Sequence, residues 1–144
     1  MKDSFGREIN YLRISVTEDC NHRCVYCMPA DAVPRSWNAL KDDDIVEIVE
    51  AAASLGITKF RITGGEPLMY PNFRELFVAL KKMGMVLTIN TNGTLIDEDI
   101  ARMFQRLKPR RVNVTLYGAS NETYQQHCRS PHGFDQCMKG LQLL

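Results

Sequence analysis

The sequence predicts an α/β fold, a partial (β/α) barrel of about four βα units, and three observations support it. Short segments rich in β-branched residues recur, amphipathic helical patterns lie between them, and glycine or proline ends the first three patterns. The predicted strands run from Tyr11 to Val16, Thr58 to Thr63, Val86 to Asn90 and Val112 to Tyr117. Strands that alternate with helices in this way pair in parallel.

The first predicted helix follows a long loop and is defined by an apolar stripe. Its apolar residues are Ile45, Ile48, Val49, Ala52 and Leu55. This spacing puts all of them on one buried face. Aspartates 42–44 provide a cap and a favourable charge at its start, and Gly56 suits the left-handed position that ends a helix. Pro34 and Trp37 are predicted to pack the loop before it.

Two further helices follow the second and third strands. One extends through Phe73 and Leu80, opened by Asn72 and closed by Gly84. The other covers residues 96–107 and stops before a proline, which cannot continue a helix. Each helix carries an apolar stripe, so each is expected to pack on the sheet.

Polar and apolar residues alternate along all four predicted strands. In the second strand, Phe60 and Ile62 alternate with Arg61 and Thr63. Parallel strands that are buried on both faces have continuous apolar runs, so this alternation indicates one polar face. Two arrangements explain it equally well. The polar rows line the inside of a curved sheet or barrel, or one face of the sheet is exposed to water.

Length and charge indicate one globular domain over residues 1–144. The 18 Lys and Arg residues balance 17 Asp and Glu residues, and a net charge of +1 gives no reason to expect a nucleic acid or an anionic membrane as partner. The basic run 108–111 is predicted to be a solvated loop. Neither a membrane span nor a secretion signal is evident, so we expect a cytoplasmic protein with reduced thiols.

The end of the sequence predicts an incomplete domain. A last apolar stripe reaches the final residue without a cap or a polar tail, and its members are Phe134, Met138, Leu141 and Leu144. Four βα units cannot close an eight-stranded barrel, and an open parallel edge needs cover. We therefore expect either that a C-terminal half is missing or that the chain forms a homo-oligomer.

Three cysteines near the start, Cys20, Cys24 and Cys27, have the spacing C-x3-C-x2-C. Three thiolates in one loop can hold three corners of a 4Fe-4S cluster and leave one iron open. Zinc is the main alternative, but its fourth ligand would come from His22 in the loop or from distant residues, namely His127, Cys128 and Cys137. A disulfide framework is less favoured because five cysteines is an odd number. Cys128 and Cys137 are interpreted as small buried side chains.

A second motif, Gly64-Gly65-Glu66-Pro67, follows the second predicted strand directly. Ligands bind at the carboxyl ends of strands in α/β folds. The two glycines let the backbone approach a ligand, and Glu66 offers an anion to an ammonium group. A glycine pair alone is more often a simple turn, but its position one strand after the cysteine loop favours a binding role.

The cysteine loop, with Tyr26 before its last cysteine, and the Gly-Gly-Glu-Pro motif together resemble the radical S-adenosylmethionine (radical SAM) superfamily. The resemblance implies a radical SAM core in which Cys20, Cys24 and Cys27 hold a 4Fe-4S cluster. It also implies an enzyme that cleaves S-adenosylmethionine (SAM) reductively to a 5'-deoxyadenosyl radical, with an electron donor such as flavodoxin or ferredoxin. The implied SAM contacts are Tyr26, Gly64, Gly65, Glu66 and Thr115.

Within that superfamily, the first half is most similar to the GTP 3',8-cyclases of molybdenum cofactor biosynthesis. Arg13, Arg61 and Thr91 match GTP-binding positions there, and two arginines on adjacent strands suit a polyanion. Pairing of each arginine with a nearby carboxylate is the alternative. The segment 114–120 resembles instead the peptide-modifying radical SAM maturases, so the substrate is a small molecule or a peptide. A non-catalytic iron-sulfur or zinc module is the second alternative.

Overall fold

The computed structural model describes residues 2–28 and 40–144, which exclude Pro34 and Trp37. The strands are β1 (Tyr11–Ser15), β2 (Lys59–Thr63), β3 (Val86–Thr91) and β4 (Arg111–Val114). The helices are α1 (Asp42–Ser54), α2 (Phe73–Lys82), α3 (Glu98–Leu107), α4 (Asn121–Cys128) and α5 (Gly133–Leu143). Pro67–Met69 form a single 3-10 turn between β2 and α2.

The four strands form one parallel sheet in the order β1-β2-β3-β4. Neighbours in sequence are therefore neighbours in space, which is the arrangement of successive βα units. The predicted α/β fold with a partial barrel of four βα units is confirmed. All carboxyl ends of the strands lie at one edge, so the loops that follow β1, β2 and β3 meet there.

The predicted helix ends are mostly confirmed, with differences at the starts of α2 and α3. Helix α3 begins at Glu98 instead of residue 96, because the side chain of Asp97 caps it. Gly56 and Gly84, which follow α1 and α2, have φ of +85° and +80°, values that a side chain makes unfavourable. Asn72 precedes α2, but its side chain donates to the carboxylate of Asp42 at 2.8 Å and does not cap the helix. Among the described residues, no helix has the length and apolarity needed to cross a bilayer.

Helices α1, α2 and α3 cover one face of the sheet and form a single core with it. The buried strand residues of this core include Ile14, Phe60, Ile62, Leu87 and Ile89. The buried helix residues include Ile45, Val49, Phe77, Leu80 and Phe104. The apolar rows predicted from the sequence therefore face the helices, and the polar rows lie on the opposite face.

Strand β4 differs from its prediction at both ends. It begins at Arg111, which was expected in a solvated loop, and it ends at Val114 instead of Tyr117. Leu116, predicted to continue the apolar row, is 52% exposed. The strand ends here because Val114 is the register partner of Thr91, the last residue of β3. Beyond it, the amide of Tyr117 donates to the hydroxyl of Tyr124 on α4 at 3.3 Å.

Candidate functional site

Two loops at the carboxyl edge of the sheet are joined along their backbones. These are the cysteine loop after β1 and the Gly64–Pro67 loop after β2. The amide of Gly65 donates to the carbonyl of Thr17 at 2.8 Å, and that of Glu66 donates to the carbonyl of Asp19 at 2.7 Å. The two motifs singled out in the sequence are thus held side by side, as an extension of the β1–β2 pairing beyond the sheet.

The two glycines are required by this contact between loops. A Cβ atom at Gly64 would lie 2.5 Å from the carbonyl oxygen of Thr17, and one at Gly65 would overlap the carbonyl oxygen of Asp19. The missing Cβ atoms therefore make room for the cysteine loop, a contact between loops that the sequence did not reveal. Within the described residues, the carbonyl groups of Gly64 and Gly65 accept no hydrogen bond.

Glu66 is a buried carboxylate, 1% exposed, that joins the ends of β2 and β3. The hydroxyl of Thr91 donates to one carboxylate oxygen at 2.7 Å, and the amide of Asn92 donates to the other at 2.7 Å. The amide of Leu68 adds a third hydrogen bond at 3.1 Å. Burial raises the pKa of Glu66 above its ordinary value of 4.5, and the hydrogen bonds to Asn92, Thr91 and Leu68 offset only part of that rise.

This raised pKa predicts how stability depends on pH. Between 4.5 and the native pKa of Glu66, the folded chain holds a proton that the unfolded chain has lost. The free energy of unfolding therefore falls as pH rises through that window. Urea unfolding of the metal-free chain at several pH values should show the wild type losing stability relative to Glu66→Gln, which has no carboxyl to titrate. If the free energy of unfolding changed with pH by the same amount in both proteins, this prediction would be contradicted.

The three cysteines of the loop differ in exposure but lie near one another. Cys24 is buried, Cys20 is half-buried and Cys27 is exposed. Burial raises the pKa of the Cys20 thiol, and the nearby negative charges of Glu66, Cys24 and Cys27 add smaller effects. Because three thiols converge in one loop beside the Gly64–Pro67 loop, this donor set fits a 4Fe-4S cluster with one open iron.

Helix α4 is attached to the cysteine loop on either side of Cys24. The amide of Arg23 donates to the carbonyl of Cys128, and that of Val25 donates to the carbonyl of His127, each at 2.9 Å. Cys128 is fully buried, as its sequence interpretation expects, and burial raises its pKa to about 12. The sequence separation of about a hundred residues hid this contact, although His22 and Cys128 were both considered as zinc ligands.

Cys137, the other cysteine interpreted as a buried side chain, takes no part in the contact between the cysteine loop and α4. It is fully buried on α5, and its sulfur would lie 3.3 Å from a Cβ atom at Gly93. The interpretation of a small side chain that fills the core is confirmed for Cys137.

A row of arginines crosses the polar face of the sheet. Arg13 on β1 is in register with Arg61 on β2, and Thr88 on β3 separates Arg61 from Arg111 on β4. Register partners point to the same face and lie about 5 Å apart between neighbouring strands. The sequence reasoning found Arg13 and Arg61 but missed Arg111, because it placed that residue in a loop.

The arginines of this row have no carboxylate partner among the described residues. Arg13 donates to the hydroxyl of Thr63 at 3.2 Å, and the guanidinium of Arg61 lies 5.2 Å from the centre of the Tyr11 ring. The Nε atom of Arg61 is buried without a hydrogen bond within the same residues. Ion pairing, the alternative explanation for Arg13 and Arg61, is therefore not found within residues 2–28 and 40–144.

The remaining predicted residues lie at different places around the site. Thr91 is 4% exposed and belongs to the helix-facing row of β3. Its hydroxyl donates to Glu66 and accepts from the amide of Gly93 at 3.0 Å. Thr115 is exposed just after β4, and its amide donates to the carbonyl of Thr91 at 3.0 Å. Tyr26 is 68% exposed beside Tyr117. Thr91 is thus separated from the arginine row.

Two polar residues that the sequence reasoning missed connect the loops after β1 and β3. The side chain of Asn92 donates to that of Asn21 at 2.7 Å, and Asn21 donates to the hydroxyl of Thr94 at 2.8 Å. The Asn-Thr-Asn-Gly run at the end of β3 was the only signal, since asparagine is typical of turns.

Comparison with known proteins agrees with this arrangement. The model of the Radical SAM superfamily matches residues 14–144. The GTP 3',8-cyclase of Petrotoga mobilis is 39% identical over 145 aligned positions, which cover 98% of this chain and 44% of that protein. The GTP 3',8-cyclase of Desulforamulus reducens is 39% identical over 133 positions, covering 90% of this chain and 41% of the relative. The chain spans less than half the length of these relatives.

Solved structures share the fold. Streptococcus suis SuiB bound to S-adenosylmethionine superposes with a TM-score of 0.73 at 23% identity, over 91% of this chain and 30% of SuiB. The anSMEcpe structure with bound AdoMet also has a TM-score of 0.73, at 22% identity, over 92% of this chain and 39% of that one.

Proposed function

The chain belongs to the radical SAM superfamily, and from this premise we propose that it forms the part of an enzyme that binds a 4Fe-4S cluster and S-adenosylmethionine. One observation carries the proposal: the three-cysteine loop and the Gly64–Pro67 loop are joined by backbone hydrogen bonds at the carboxyl edge of the sheet. Binding of S-adenosylmethionine needs cysteine ligands for the cluster and, beside them, a loop with free polar groups.

Each part of the site has a proposed role. Cys20, Cys24 and Cys27 would hold the cluster. The carbonyl groups of Gly64 and Gly65 would accept hydrogen bonds from the methionyl ammonium. Glu66 would position that loop, since its carboxylate already accepts three hydrogen bonds from the chain.

Two exposed residues complete the proposed cofactor site. The backbone of Tyr26 would lie along the adenine, and Thr115 would contact the ribose or the carboxylate. When bound, the cluster and its electron donor, such as a flavodoxin or a ferredoxin, supply reductive cleavage of the cofactor to a 5'-deoxyadenosyl radical. The residues of this chain bind and orient the cofactor and limit the access of water to it.

Reconstitution with iron and sulfide under anaerobic conditions tests this proposal. The reduced protein should give the electron paramagnetic resonance signal of a 4Fe-4S cluster, and adding S-adenosylmethionine should shift that signal. A cluster whose signal does not change with S-adenosylmethionine would overturn the cofactor assignment. Failure to assemble a cluster in protein that was freed of zinc beforehand would favour the non-catalytic metal module.

We further propose that the substrate is a nucleoside triphosphate, as in the GTP 3',8-cyclases. Three arginines in one row across the sheet, without carboxylate partners among the described residues, favour a polyanion. Each guanidinium group can donate two parallel hydrogen bonds to the oxygens of a phosphate. A peptide substrate is the second candidate, since residues 114–120 resemble the peptide-modifying maturases.

The arginine row can be tested by calorimetry with GTP and guanosine. We expect Arg61→Gln and Arg111→Gln each to weaken GTP binding by about tenfold, because each removes a charge-assisted hydrogen bond to phosphate. Arg110→Gln is the matched control, since Arg110 precedes the strand. Equal affinity for GTP and guanosine would contradict a triphosphate site, and the peptide alternative would then be preferred.

A further inference from the structure

His22 is a buried side chain whose imidazole has no hydrogen-bond partner in the part of the chain that the structure describes. It is 2% exposed, and neither imidazole nitrogen has a hydrogen-bond partner among the described residues. The rings of Tyr117 and Tyr124 pack edge-on against it, at 5.6 and 6.0 Å between centroids. Buried polar groups in folded proteins are nearly always satisfied, so these nitrogens require a partner outside the chain, such as water or a metal ion.

Two thiols lie within reach of this imidazole. One nitrogen of His22 and the sulfur atoms of Cys24 and Cys128 all lie within 4.8 Å of one another, and all three residues are buried. The backbone hydrogen bonds from Arg23 and Val25 to the end of α4 hold Cys128 in this place. These three ligand groups therefore come from two segments that backbone hydrogen bonds hold together.

We propose that His22, Cys24 and Cys128 form a site for one Zn²⁺ ion. Thiolate and imidazole are the ligands that zinc prefers, and ligand atoms in a tetrahedral zinc site lie about 3.5 Å apart, which small side-chain rotations would reach. Three protein ligands leave the fourth position to water. Magnesium and calcium do not fit, because none of the three residues supplies an oxygen ligand.

The site shares Cys24 with the three-cysteine loop. If that loop holds a 4Fe-4S cluster, as proposed above, then zinc and the cluster compete for the same sulfur. Zinc would occupy the chain before the cluster is inserted or after it is lost, and would protect the thiols of Cys24 and Cys128 from oxidation. The zinc site itself does not depend on the proposed function, but this exclusion does.

The experiment uses the reduced, metal-free chain titrated with Co²⁺ and then with Zn²⁺. Thiolate–cobalt charge-transfer absorption should report one site per chain, and Zn²⁺ should displace the cobalt. Cys128→Ser and His22→Phe should each weaken zinc binding by more than about tenfold, since removing a ligand costs at least as much as removing its supporting partner. Cys137→Ser is the matched control, because Cys137 is also fully buried but lies outside the cluster.

Variants of the other loop cysteines separate the two metal sites. Cys20→Ser and Cys27→Ser should bind zinc like the wild type and fail to assemble a 4Fe-4S cluster. Cys128→Ser should assemble the cluster normally. Zinc binding that is lost in Cys20→Ser and Cys27→Ser but kept in Cys128→Ser would overturn the proposal, because zinc would then lie in the three-cysteine loop. Circular dichroism identifies any variant that fails to fold. If Cys128→Ser does not fold, Cys20→Ser and Cys27→Ser still test the proposal, because both are expected to bind zinc like the wild type.

Discussion

Cys24→Ala is expected to abolish binding of the 4Fe-4S cluster. Alanine leaves only two thiols in the loop, and Cys24 is the most deeply buried of the three. After anaerobic reconstitution, iron and sulfide should fall from about four of each per chain to background. The electron paramagnetic resonance signal of the reduced protein should be lost with them.

The same variant should also lose zinc, because Cys24 belongs to both proposed sites. Cys137→Ala is the control and should keep both metals, since its sulfur lies on α5 away from the loop. Normal iron content in Cys24→Ala would mean that the cysteine loop is not the cluster site. This result would remove the proposed function and leave the zinc proposal to be judged from His22 and Cys128 alone.

Gly65→Ala is expected to destabilise the fold by about 3 kcal/mol, the upper end of the cost of overpacking. The new Cβ atom would overlap the carbonyl oxygen of Asp19 and lie 2.5 Å from that of Glu18. Backbone atoms cannot rotate away as a flexible side chain can. The two loops must therefore separate, and the hydrogen bonds of Gly65 and Glu66 to the cysteine loop would be stretched or lost. Urea unfolding of the metal-free chain measures the effect.

Gly84→Ala is the control for this substitution. A Cβ atom there meets nothing within 4 Å, but the residue has φ of +80°. Its cost should be only the left-handed strain, about 1 kcal/mol. Equal losses in the two variants would show that the contact between loops adds nothing to stability. Gly65→Ala should also retain less iron than Gly84→Ala after reconstitution, because it displaces the cysteine loop.

Much of this architecture follows from short stretches of sequence. The spacing of Ile45 and Val49 predicts α1, and the alternation of Phe60 and Ile62 with polar residues predicts which face of β2 is buried. Glycines 56 and 84 end two helices because a positive φ is a local requirement. The spacing of the three cysteines is local as well. Each of these features is decided by residues within a few positions of one another.

The contacts between distant residues are what only the tertiary structure decided. The meeting of His22 and Cys24 with Cys128, the burial of Glu66 against Thr91, and the alignment of Arg111 with Arg61 each depend on how several elements pack. Local periodicity carries no information on such distances, because it is the same whichever helix or strand lies opposite. The early end of β4 has the same origin, since it is set by where β3 ends, opposite Val114.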